Sequence, residues 1–179
     1  MSCGSHPNTS EHSSICCTTP VPSSGSASSG SEHSCPCGWE KGFGTWFREY
    51  RPIYTALEAG LTSYIKLEHE FIGRAAHEAE LATGPGRRLV TLVVEPDPDD
   101  PADAIGDEPI WHDDEVVGWV TSGGYAHHSK ASVALGYVPA HLADAGSNGN
   151  LEIEIIGRRR PAHLQLTPIY DPEGRRMRQ

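Results

Sequence analysis

Leu151-Glu-Ile-Glu-Ile155-Ile-Gly-Arg-Arg-Arg160-Pro-Ala-His-Leu-Gln165 is the stretch from which the fold is read. Leu151, Ile153 and Ile155 alternate with Glu152 and Glu154. Beyond a turn at residues 157–160, Ala162, Leu164 and Leu166 alternate with His163 and Gln165. A period of two sends one set of side chains to a buried face and the other to water, so the pattern is that of a β-hairpin. Arg158, Arg159 and Arg160 lie between Gly157 and Pro161, where a run of charge reads as a solvated turn.

The same period recurs upstream, with turn signals between the runs. Residues 87–95 are rich in Val and Leu, residues 109–112 and 115–121 flank a tight turn at Asp113-Asp114, and residues 131–138 supply another strand. Ser122-Gly123-Gly124 reads as a bend between strands, since glycine permits dihedrals closed to other residues. Short strands with almost no helix between them close on themselves to bury their apolar faces. The expected fold class is therefore mainly β: a C-terminal antiparallel β-barrel of Greek-key type with about six strands, preceded by a short α/β remnant and a disordered N-terminal head. The insert at 96–108 carries Asp97, Asp99, Asp100, Asp103 and Asp107 without the ligand spacing of a calcium loop, and is expected to be solvated.

Ahead of the barrel, residues 39–67 are rich in turns, with a strand expected at 61–67. A helix is expected at 71–82, its stripe made by Phe71, Ile72, Ala75, Ala79 and Leu81 and its stop by Thr83-Gly84-Pro85. Residues 1–38 contain twelve serines and no Lys or Arg, too little apolar surface to offset the entropy of ordering. The expected organisation is a head at 1–38, a remnant domain at 39–85 and a barrel domain at 86–179.

Composition narrows the function. Fourteen Lys and Arg against 24 Asp and Glu give a net charge of -10, which repels nucleic acid and anionic lipid. No apolar run approaches the length needed to cross a bilayer, and the head lacks the charge and apolar pattern of a secretory or organelle leader, so a soluble, cytoplasmic chain is expected. Cys3, Cys16, Cys17, Cys35 and Cys37 all precede Trp39, so disulfides do not staple the folded part. Together with His6, His12 and His33 they lack zinc-finger spacing, and no metal site is assigned. There is no phosphate loop, dinucleotide fingerprint, nucleophile elbow or zinc-protease helix. His112, Asp113, Tyr125, His127 and His128 form the richest polar group, and a metalloenzyme built on His112, His127 and His128 is one reading of it.

Asp107-Glu-Pro-Ile-Trp-His-Asp-Asp-Glu-Val-Val-Gly-Trp-Val-Thr-Ser-Gly-Gly-Tyr125, followed by Ser132-Val-Ala-Leu-Gly-Tyr-Val-Pro139, resembles the C-terminal barrel of the glycine-cleavage T-protein (aminomethyltransferase) superfamily. The resemblance continues upstream through Trp39-Glu-Lys-Gly-Phe43, Thr55-Ala-Leu-Glu-Ala-Gly-Leu61 and Phe71-Ile-Gly-Arg74, and downstream to Tyr170-Asp-Pro-Glu-Gly174. Glu-Lys-Gly-Phe and Ser-Gly-Gly-Tyr resemble the C-terminal part of dimethylglycine and sarcosine dehydrogenases more than the free T-protein.

That resemblance implies a module of one-carbon metabolism that binds tetrahydrofolate and captures a one-carbon unit as 5,10-methylenetetrahydrofolate. It also implies that the catalytic aspartate lies in an upstream part of the module, so no catalytic residue is assigned here. Glu40 is the position carried over as folate-binding. The other reading of Glu40 is a glutamate that pairs with nearby backbone or with Arg48. Ser34-Cys-Pro-Cys-Gly-Trp39 stands where the family carries arginines, Ala56 where it has proline, and Ala131 where the related dehydrogenases have lysine. The expected function is thus a C-terminal, folate-related fragment that is not catalytic alone. Its partners would be the missing N-terminal folate or flavin domains or a related subunit. The alternative is a non-catalytic interaction module that docks on a flavoprotein dehydrogenase subunit.

Overall fold

A computed structural model describes residues 36–144 and 150–176. The elements, in chain order, are α1 (Pro36–Glu40), a 3-10 turn (Thr62–Tyr64), α2 (Arg74–Thr83), β1 (Arg87–Val94), β2 (Pro109–His112), β3 (Glu115–Ala126), β4 (Ala131–Pro139), α3 (Ala140–Asp144), β5 (Leu151–Ile155) and β6 (Arg158–Gln165). Cys37 lies in α1, and the other cysteines and the histidines of the zinc question raised by the head fall outside the described residues.

The six strands form a closed antiparallel barrel in the order β1-β4-β3-β2-β5-β6, with β6 returning to β1. β2, β3 and β4 follow one another as a meander, and β1 lies beside β4 after a long connection, which is a Greek key. Inward positions carry the core: Leu92 and Val94 of β1, Ile110 of β2, Val120 of β3, Ala134 and Val138 of β4, Leu151, Ile153 and Ile155 of β5, and Ala162 and Leu164 of β6. Burying a large aliphatic side chain contributes roughly 1.5–3 kcal/mol, so these positions fix which way each strand faces. No helix among the described residues is long and apolar enough to cross a membrane.

Five expectations are corrected. The hairpin turns at Ile156 and Gly157, both at positive φ (49° and 73°), and not at 157–160. Arg158, Arg159 and Arg160 are already strand, opposite Ile155, Glu154 and Ile153. Arg160 therefore takes an inward position and is only 4% exposed. Its guanidinium donates to the carbonyl oxygens of Ala102 (2.6 Å) and Asp100 (2.9 Å) and pairs with the Asp100 carboxylate at 3.2 Å. That strap seats part of the acidic insert on the barrel, with Ala104 fully buried, where a solvated loop was expected.

Ser122, Gly123 and Gly124 do not form a bend; β3 runs straight through them, with a bulge between Val120 and Ser122. A Cβ on Gly124 would stand 2.4 Å from the Trp39 ring, and one on Gly123 would stand 2.8 Å from the Ala104 carbonyl, so glycine here permits close approach within a strand. Residues 61–67 make a 3-10 turn and coil and join none of the six strands of the closed sheet. The helix at 71–82 starts later, at Arg74, after Gly73 at positive φ. Phe71 and Ile72 lie outside it and exposed, and its buried residue is His77.

Replacing Arg160 by alanine strips two carbonyls and a carboxylate of their donor in a dry position. We expect a loss of about 3 kcal/mol in urea unfolding, whereas Arg158→Ala, which breaks a half-exposed pair with Asp97, costs less than about 1 kcal/mol. Equal losses in the two variants would contradict the inward placement of Arg160.

Candidate functional site

α1 packs on β3 and β4, with the Trp39 ring against Gly124. This brings the next residue, Glu40, over the β3–β4 turn. Glu40 is 4% exposed, and its Oε1 accepts the backbone N–H of His128 (2.9 Å) and of Ser129 (3.0 Å). Its own carbonyl oxygen accepts the N–H of Tyr170 (3.1 Å). Lys41 completes the clasp by donating from Nζ to the carbonyl oxygen of Asp171 (2.7 Å) and to its carboxylate (2.9 Å). Two consecutive residues thereby hold a barrel turn and a segment 130 positions further along the chain.

The segments so held line a cleft of about 510 Å³, bounded by His128, Ser129, Ile169, Tyr170, Asp171 and Arg176. The His128 ring meets Tyr170 edge-on, with centroids 4.4 Å apart. Arg176 donates from Nη1 to the Tyr170 hydroxyl (2.9 Å). The hydrogen bond from Lys41 holds the Asp171 carboxyl below its ordinary value of 3.8. Among the described residues four side-chain polar atoms are buried without a hydrogen-bond partner, Trp39 Nε1, His77 Nε2, Ser132 Oγ and Arg160 Nε, and none of them lines this cleft. A buried carboxylate, aromatic edges and a guanidinium around one cleft can hold a planar heterocycle with N–H donors. A second, wholly buried carboxylate belongs to Glu49, which accepts from Thr45 and from Ser122 Oγ (2.7 Å), while its carbonyl oxygen accepts the Tyr137 hydroxyl (2.8 Å). Burial pushes the Tyr137 phenol well above its ordinary range.

Of the residues singled out in the sequence, Glu40 sits beside the cleft, tied to backbone and not to Arg48, whose guanidinium instead faces Asp107 at 3.5 Å. Glu58 accepts the Thr55 N–H and pairs with Arg87. The three histidines are not brought together. His112 faces Asp113, His127 meets the edge of Tyr125, and His128 belongs to the cleft, and among the described residues no group of three or more metal-ligating side chains forms. Trp111 carries the Arg159 guanidinium 3.7 Å from its ring, and Trp119 donates to the Tyr54 hydroxyl (3.1 Å). Sequence reading missed Glu49, Lys41, Asp171 and Arg176. Glu-Lys-Gly-Phe and Tyr170-Asp-Pro-Glu-Gly174 pointed near them, but nothing local in 169–176 reveals that it returns to α1.

Residues 87–171 match the family of the glycine cleavage T-protein C-terminal barrel domain. Over 141 residues the chain is 38% identical to the mitochondrial dimethylglycine dehydrogenase of Homo sapiens, covering 78% of this chain and 16% of that protein. It is 34% identical over 147 residues to the mitochondrial sarcosine dehydrogenase of Mus musculus, with the same shares covered. An aminomethyltransferase of a Synechococcus species is 41% identical over 115 residues, 63% of this chain and 30% of its own length. The chain thus spans about a sixth of the dehydrogenases and under a third of that aminomethyltransferase. Among solved structures, the crystal structure of the glycine cleavage system aminomethyltransferase T of Bartonella henselae superposes with a TM-score of 0.68 at 22% identity, over 76% of this chain and 38% of that one. At that identity the likeness concerns the fold.

Two outcomes test the clasp. Glu40→Ala leaves two amides without an acceptor and is expected to lower stability by about 2–3 kcal/mol, with a change in the near-ultraviolet dichroism of Trp39. Because the Asp171 carboxyl titrates below 3.8 when folded, its contribution is complete above that value and is lost as pH falls through the lower folded-state value. Lys41→Met should therefore flatten the acid limb of the stability profile, and an unchanged limb would exclude the pair as its cause.

Proposed function

Since residues 87–171 form a glycine cleavage T-protein C-terminal barrel domain and the stretch before them is similar to that of dimethylglycine and sarcosine dehydrogenases, we propose that the chain is the C-terminal, folate-facing part of an aminomethyltransferase-type module. The observation that carries this reading is the buried Glu40 carboxylate, held by two amides through one oxygen at the edge of the His128–Tyr170 cleft. Its other oxygen has no donor among the described residues, and a carboxylate so placed suits the N–H groups of a pterin. Tyr170 and His128 offer ring edges, and Arg176 a cation, for the remainder of the ligand.

The residues around the cleft fit holding tetrahydrofolate; they do not supply proton transfer. Asp171, the cleft's own carboxylate, is tied to Lys41, and Glu40 serves as an acceptor, to the β3–β4 turn through one oxygen and to the pterin through the other. Tetrahydrofolate, when bound, supplies the nitrogens that take up a one-carbon unit. A general acid or base within hydrogen-bond reach of them must come from the remaining part of the module, on another chain or segment. The chain is therefore non-catalytic alone.

A second reading, an interaction module docking on a flavoprotein dehydrogenase subunit, is favoured by the large apolar side chains in water ahead of the barrel. Trp46 is 79% exposed and Ile53 63%, and Phe43 and Ile72 are exposed as well. Aromatic and aliphatic anchors of this kind are the usual centres of protein interfaces.

Titration with tetrahydrofolate, followed by tryptophan fluorescence, distinguishes these readings. We expect saturable binding of about 100 µM or weaker, lost in Glu40→Gln, with no turnover of dimethylglycine or sarcosine, because only part of the contact surface is present. Turnover by the isolated chain would overturn the non-catalytic assignment. Binding indifferent to Glu40→Gln would move folate away from this cleft and leave the docking reading.

A further inference from the structure

A second cleft, of about 240 Å³, opens between residues 47–54 and the outer side of β3, lined by Phe47, Arg48, Arg51, Tyr54, Asp107, Trp119 and Thr121. One of its walls is a graded aromatic stack. Tyr137, fully buried, stacks on Tyr54 at 3.7 Å and 15°, and Tyr54 in turn accepts the Trp119 indole N–H, with ring centroids 6.4 Å apart. The Tyr137 hydroxyl is fixed on the Glu49 carbonyl, so the surface ring of Trp119 is braced by rings buried between the barrel wall and residues 49–54. The Arg87 guanidinium lies 5.4 Å from that indole.

Against this wall stand two guanidiniums. Arg48 is located by its bond to the Thr121 carbonyl oxygen (3.3 Å) and faces Asp107 at 3.5 Å, a loose pair in which Asp107 is 88% exposed. Arg51 makes no ion pair and no side-chain hydrogen bond among the described residues. In a chain of net charge -10, two cations sharing one small cleft with a single weak counter-charge form a local exception to the overall field. Guanidiniums read carboxylates through paired N–H donors, and both the indole face and the guanidinium plane stack on rings.

We propose that this cleft binds an aromatic carboxylate, with its ring against Trp119 and Phe47 and its carboxylate between Arg48 and Arg51. The site is separate from the one at Glu40. Trp119 lies seven residues before the end of β3 at Ala126, roughly 23 Å at about 3.3 Å per residue, and Glu40 is anchored beyond that end. One small ligand does not reach both.

The test uses the full chain and two probes that are no part of tetrahydrofolate, benzoate and phenylacetate, so its failure and the failure of the folate reading are independent. Quenching of tryptophan fluorescence should saturate with a dissociation constant on the order of 1 mM and weaken as salt is raised. Arg51→Gln and Arg48→Gln should each weaken binding by about 5–10-fold, Trp119→Leu by a similar factor, and Asp107→Asn should tighten it by about 3-fold. Arg51 is exposed and without interior contacts, so its variant keeps the fold, which an unchanged urea midpoint verifies; Arg158→Gln, on a distant strand, should bind as the parent does. Three results would overturn the proposal: no saturation by either probe, equal binding by the Arg48→Gln/Arg51→Gln double variant, or inorganic phosphate binding as tightly as benzoate, which would mark a general anion patch.

Discussion

Closure of the sheet at β1 is the constraint on which the remaining structure depends. β1 pairs with β4 along its whole length and with β6 over its second half, so every strand has a neighbouring strand on each side. Once the ring is closed, each strand has one inward and one outward set of side chains, and a slip by a single residue would exchange them. Arg160 shows how strongly this acts: its place opposite Ile153 turns a guanidinium inward, and the chain answers by laying the Asp100 and Ala102 carbonyls over it. The acidic insert is thereby part of the barrel's cover.

The barrel was legible because its signal is local and repeated. Alternation in Leu151, Ile153 and Ile155, the Asp113-Asp114 turn and the Val/Leu run of β1 each announce a strand without knowledge of any other. What escaped reading was set by contacts between distant segments. A charge run beside a proline resembles a turn, yet Arg158–Arg160 pairs with β5 because the preceding Ile156-Gly157 takes up positive φ and finishes the reversal early. Ser122-Gly123-Gly124 resembles a bend, yet the glycines are required by Trp39 and Ala104 pressing on the strand from outside it. Phe71 and Ile72 complete a helical stripe on paper, but Gly73 starts the helix after them.

The site was half legible for the same reason. Glu40 was reachable through the Glu-Lys-Gly-Phe wording, but its partners are backbone amides of the β3–β4 turn, which carry no residue code at all. Lys41 and Asp171 are an ordinary cation and an ordinary carboxylate until the fold sets them 2.9 Å apart. Glu49 illustrates the limit: a carboxylate in a turn-rich stretch reads as solvated, and only the arrival of Ser122 and Tyr137 from the barrel explains its complete burial.

The contacts made by Glu40 and Lys41 also have a mechanical meaning. They join residues 40–41 to residues 170–171, close to the first and last of the described residues. A pull across those limits meets one main-chain bond, one lysine-to-carbonyl bond and one ion pair ahead of the strand ladders.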